Sequence, residues 1–229
     1  HTFRTYDKHS YPQIVSNMAV AIRTTQDGTL YVGTLDGGLV RMRGEQIDVL
    51  TETTGFPSNN ITALRESRDG SLWIGTGAGL ARLSGNRVTV IPAAQLPHEH
   101  IIALAEDSSG QLWVATPAGL ATITNGRITH RTAAEGFPSI PVQALAAGRD
   151  GSVWMGTEGE GLFQHRDGNV RHYGERDGIP SPNISAVYED RNGTIWMGTP
   201  DAGFGRMRDG RAEFDSERRA PVTALLEDR

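Results

Sequence analysis

Two imidazoles one residue apart, His98-Glu99-His100, are the part of this 229-residue sequence that most resembles a metal-ligand pair. In an extended stretch the side chains of residues i and i+2 share a face, so both rings could meet one Zn²⁺. A protein zinc site takes three or four ligands, and no third is evident in the sequence, so a solvated loop is the expectation and no metal is assigned. Carboxylates recur in short connections at Asp36, Glu158, Glu160 and Asp201. Such a set can hold a cation or a basic ligand. Scattered surface acids on a chain of net charge −5 are the plainer alternative. No P-loop, zinc-protease signature, nucleophile-elbow serine or Rossmann glycine run is present, and no cofactor is implied.

The elements that must position these groups are written five times. Asp27-Gly28-Thr29-Leu30-Tyr31-Val32-Gly33-Thr34 returns as Asp69–Thr76, Ser109–Thr116, Asp150–Thr157 and Asn192–Thr199. The aromatic position falls at 31, 73, 113, 154 and 196, in steps of 42, 40, 41 and 42 residues. A steady period of short β-type segments means that each repeat is one supersecondary unit hiding its apolar faces against its neighbours.

The second copy reads most clearly. Ile61–Glu66 alternates and begins β-branched, Asp69-Gly70 closes a tight hairpin, and Leu72-Trp73-Ile74-Gly75 is apolar on both faces. Gly79–Leu83 is a third strand, and Arg87–Ile91, after the Gly85-Asn86 turn, is a more polar fourth. Four antiparallel strands per period make the blade of a β-propeller, and five complete all-β blades are expected. Their first strands are predicted near 19–24, 61–66, 101–106, 142–147 and 184–189. Trp73, Trp113, Trp154 and Trp196 recur at one position beside a small residue, which points to packing between blades rather than ligand stacking.

Phe3–Tyr6 matches a fourth strand and Val222–Asp228 a first strand, so remnants of a further blade are expected at the ends. The chain is then a piece of a longer protein, and its open edges invite association of two copies. The negative charge argues against a nucleic-acid partner. No apolar run approaches a membrane span. With no cysteine, the sequence leaves the compartment open.

Asn60-Ile61 to Leu83 and Asn183-Ile184 to Met207, with linkers such as Gly55-Phe56-Pro57-Ser58, resemble the two-component regulator propeller repeat. The resemblance covers nearly the whole chain. It implies the extracytoplasmic sensor portion of a membrane-bound histidine kinase, hybrid regulator or diguanylate cyclase, hence a periplasmic location and attachment to membrane and signalling modules. The family shares no catalytic residues, so none is carried over. Ser67–Trp73 is also similar to the Asp-box of sialidase propellers, one residue short, which keeps a propeller lyase or glycosidase as the third reading after a protein-interaction scaffold.

A four-strand meander places its 2–3 loops and its proline-containing linkers on one side, and its tight glycine turns on the other. The linker side varies from copy to copy, and a recognition surface needs variation on a rigid frame. Asn59, His98, His100, Glu158, Glu160 and Asp201 are therefore the predicted contacts for an unidentified small ligand or protein.

Overall fold

A computed structural model describes residues 5–215 and 220–226. The first sheet is β1 (Ala19–Thr24), β2 (Leu30–Thr34), β3 (Leu39–Arg43) and β4 (Gln46–Leu50). The second is β5 (Ile61–Glu66), β6 (Leu72–Thr76), β7 (Gly79–Ser84) and β8 (Arg87–Ile91). The third is β9 (Ala103–Glu106), β10 (Leu112–Thr116), β11 (Gly119–Thr124) and β12 (Arg127–Arg131). The fourth is β13 (Val142–Ala147), β14 (Val153–Thr157), β15 (Leu162–Arg166) and β16 (Asn169–Tyr173). The fifth is β17 (Ala186–Glu189), β18 (Ile195–Gly198), β19 (Phe204–Arg208) and β20 (Arg211–Phe214). In each sheet the strands pair in chain order, so every sheet is a meander.

The five first strands stand where the period puts them, but β9 and β17 begin two residues late. Ile101 and Ile184 leave their own sheets and donate backbone N–H bonds to the carbonyls of Thr76 (3.0 Å) and Thr157 (2.9 Å) in the sheet before. The same irregularity appears as a register shift between Ala19 and Ala21 in β1, Ile61 and Ala63 in β5, and Val142 and Ala144 in β13. A bulge of this kind re-aims one side chain out of the ladder. Ile61, Ile101 and Ile184 are aimed in this way at the glycine two residues after the aromatic of the preceding copy. A Cβ on Gly75 would stand 2.7 Å from Ile101 Cγ2, and one on Gly156 would stand 2.7 Å from Ile184 Cγ2. The repeated glycine is thus the space for its neighbour's methyl group.

Contacts cluster into two units, residues 1–104 and 105–229. In the first, Tyr31 and Leu39 pack with Phe56, Ile61, Leu72 and Ile74, which joins the first two sheets through one core. Its outer apolar group, Val40 and Met42, is covered by Ile14 and flanked by Tyr11. The inner strand is left bare: Val20 and Ile22 of β1 are exposed, Ile22 by 68%, with Val15, Met18 and Leu35 exposed as well. In the second unit Trp154 of the fourth sheet shares a core with Ile184, Ile195 and Met197 of the next repeat. Trp113 is fully buried, whereas Trp196 is only half-buried, covered by Phe204 at 6.1 Å between ring centroids.

Of the end segments, Phe3, Arg4, Glu227 and Asp228 lie outside the described residues. Thr5, Tyr6 and Val222–Leu226 form no strand, although Val222 donates its N–H to the Thr199 carbonyl at 2.9 Å and meets Gly198 as Ile184 meets Gly156.

Candidate functional site

The hairpin turns between first and second strands are closed by internal bonds. Asp27 is held down to about 2, first by the Thr25 hydroxyl and then by the Thr29 N–H. In the third and fifth repeats the aspartate stands two residues earlier, and the turn position carries Ser109 or Asn192 instead. Asp107 and Asp190 there accept bonds from the indole Nε1 of Trp113 and Trp196, each at 2.9 Å. Asp69, Asp150 and Asp190 are likewise held below the usual carboxylate range, Asp69 first by the Ser71 hydroxyl and Asp190 first by the Trp196 indole. Acids held ionised in this way serve the fold and are poor proton donors near neutrality.

The linkers and 2–3 loops differ from this regularity. In the first unit, Asn59 is a staple: its Oδ1 accepts the Glu52 N–H at 2.9 Å, its own N–H goes to Glu52 Oε1 at 3.0 Å, and its carbonyl accepts the Gly38 N–H at 2.9 Å. His98 is exposed, and its Nδ1 accepts the His100 N–H at 3.0 Å, so one ring nitrogen of the pair is spent within the loop. Among the described residues no group of three His, Cys, Asp or Glu is arranged to hold a metal ion.

In the second unit, the loop between β14 and β15 brings Glu158 and Glu160 to the rims of two cavities. Glu158 accepts Gln143 Nε2 at 2.9 Å and lines a cavity of about 400 Å³ with Gln143, Asn183 and Pro200, the residue before the exposed Asp201. Glu160 lines a larger cavity of about 760 Å³. Its carboxylate accepts the Ser139 hydroxyl at 2.6 Å and the Ser139 N–H at 3.3 Å. Its carbonyl oxygen lies 2.5 Å from His172 Nε2, which fixes that nitrogen as the donor.

The body of the larger cavity is apolar. Phe137, Phe163 and Ile179 are buried in its wall, and the exposed His172 ring stacks on Phe163 at 4.6 Å between centroids. The stack follows from register: Phe163 and His172 are cross-strand partners in β15 and β16. The corresponding pairs are Val40 with Val49, Ala81 with Val90, and Ala121 with His130. Of the residues that line this cavity, the sequence reading names Glu160 but not Phe163, His172, Phe137 or Glu175. The available signal was the departure from the repeat at 163, where the other copies carry Val40, Ala81, Ala121 and Gly205.

The fold and this site can be set beside known proteins. The model of the family described as two component regulator propeller matches residues 55–78, 95–118 and 178–201. The extracellular domain of BT3049 from B. thetaiotaomicron, described as a hybrid two component system, has a similar structure, with TM-score 0.74 and 24% identity over 84% of this chain and 28% of that one. That of BT4673 from the same organism gives TM-score 0.72 and 22% identity, with the same coverages. Virginiamycin B lyase from Staphylococcus aureus gives TM-score 0.65 and 17% identity over 84% of this chain and 67% of that one. At these identities the likeness is one of fold, and the chain spans 28% of the length of each of the two extracellular domains. None of the curated proteins compared matches it in sequence. The five sheets are blades of a β-propeller, and three stretches of the chain, residues 55–78, 95–118 and 178–201, match the two component regulator propeller model.

Proposed function

We propose that this chain is the ligand-binding portion of the extracytoplasmic propeller sensor of a bacterial signalling protein. It works without catalysis, faces the periplasm, and is joined in the full protein to membrane and kinase or cyclase modules. The observation that carries the reading is the cavity of about 760 Å³ at Glu160, on the linker side where the copies differ. Its size suits a small molecule. The family match and the sensor-domain neighbours support the signalling role. Among the described residues no helix is long and apolar enough to cross a membrane.

Thermal melts against a library of small molecules test it. A ligand at 100 times its Kd stabilises by about 2.7 kcal/mol, a readily measured rise in Tm. Phe163→Ala should abolish that rise, and Asn192→Ala, in a hairpin turn, should leave it intact. A rise lost with Asn192→Ala and kept with Phe163→Ala would put the ligand on the other side and refute the assignment.

The bare face of β1 favours a second reading, a protein-interaction scaffold whose partner is a second copy of the chain. β1 is an edge strand, and its exposed Val20 and Ile22 continue into exposed Met18 and Val15. An apolar edge of this kind invites strand-to-strand association. Sedimentation equilibrium should show a concentration-dependent dimer that Ile22→Lys converts to monomer. Monomers of both forms throughout would overturn it.

A further inference from the structure

The walls of the larger cavity specify a charge as well as a size. Glu160 and Glu175 line it, and among the described lining residues there is no lysine or arginine. The hydrogen bonds that the Glu160 carboxylate accepts from Ser139 come from a neutral hydroxyl and a neutral amide, so they orient its charge without cancelling it. Beside it stand Phe163, with the His172 ring stacked on it, and Phe137, whose ring already lies under the Arg131 guanidinium at 5.8 Å. Aromatic faces carry the negative lobe of the ring quadrupole and attract cations. Glu160 and Glu175 set the sign, while Phe163, Ile179 and Pro180 form an apolar wall.

We infer that this cavity takes a small organic cation with an apolar, ring-sized body, an aromatic or aliphatic amine. This rests on the sensor reading above and names the ligand class of its site. An anion would meet two uncompensated carboxylates. A neutral congener would bury the same apolar surface without the ionic contact.

The test uses phenethylamine, phenethyl alcohol and phenylacetate as probes in calorimetric titrations of the whole chain. Phenethylamine should bind at least tenfold more tightly than the alcohol, and phenylacetate not measurably. Glu160→Gln should weaken the amine about tenfold and leave the alcohol unchanged. Phe163→Ala should weaken both, with unfolding curves confirming that each variant is folded. Raising salt should erode amine binding alone, as screening requires. Equal or tighter binding of the alcohol or of phenylacetate, lost in Phe163→Ala, would overturn the cationic class and leave the cavity as a ligand site. Absence of binding by all three would overturn the cation proposal, and the library melts then decide the sensor reading separately.

Discussion

Trp154→Ala lowers stability by about 3–5 kcal/mol, the usual result of emptying a large aromatic from a closed core. Trp154 is buried, packs with Leu162, Ile184 and Met197, and meets Tyr173 at 5.7 Å between ring centroids. Those partners come from two consecutive sheets, each supported by its own hydrogen-bonded ladder. Neither sheet can collapse far into the void without breaking its pairing, so little of the loss is recovered by relaxation. His98→Ala is the control: its exposed ring accepts one backbone bond inside a loop, and its removal should shift stability by less than about 0.5 kcal/mol. Denaturant melts compare the two variants directly. Equal midpoints would mean that the recurring tryptophan does not hold adjacent repeats together, and packing between consecutive sheets would have to rest on other residues.

The repeat was legible because one physical requirement recurs with it. Each tryptophan or tyrosine is followed two positions on by glycine or alanine, and each such glycine is emptied for a β-branched residue about 24 to 28 places later, as Gly75 is for Ile101, Gly156 for Ile184 and Gly198 for Val222. Period, composition and turn residues all follow from that contact, so strand positions could be read directly. The late starts of β9 and β17 could not, because whether Ile101 bonds its own sheet or the one before depends on register and not on residue type. The candidate site was legible only in its charges. Glu160 stands out as an acid in a loop, but the wall beside it depends on Phe163 facing His172 across two strands. Asn59 has a role that residue type hides: a polar residue in a variable linker reads as a ligand contact, and its side chain and backbone also hold the turn at Glu52.

The hairpin aspartates supply the second large effect. Asp107→Ala should destabilise by about 3 kcal/mol, since buried donors left without an acceptor cost about 1–3 kcal/mol each. Asp107 accepts from Trp113 Nε1 at 2.9 Å, Ser109 Oγ at 2.6 Å, the Ser109 N–H at 2.9 Å and the Gln111 N–H at 3.1 Å. Burial alone would raise its pKa, but the Ser109 hydroxyl, the Trp113 indole and the two amides outweigh it and hold the carboxyl below its ordinary value. The unfolded chain therefore binds this proton more readily than the folded one. The stabilisation is fully present above the unfolded carboxylate pKa and is lost as pH falls through the lower folded value. The acid limb of the wild-type stability curve should accordingly be steeper than that of Asp107→Ala, and parallel curves would sink the assignment. A reciprocal exchange asks the same question with the opposite sign. In the fourth repeat Gly148 and Asp150 stand where the third has Asp107 and Ser109, and Trp154 Nε1 is buried without a partner. A Cβ at Gly148 would crowd Asp150 Oδ1 at 2.7 Å and Ser152 Oγ at 2.5 Å, so Gly148→Asp alone should destabilise. Combined with Asp150→Ser it moves the carboxylate to the position from which Asp107 reaches its indole. The exposed pair of Asp150 with Arg166, 2.8 Å apart, is lost in the exchange, but such surface pairs contribute little. The double variant should gain about 1 kcal/mol over the wild type, the net worth of one new bond to a buried donor. A double variant no more stable than Gly148→Asp alone would show that the two turn arrangements are not interchangeable, and that the aspartate–indole bond is particular to its own repeat.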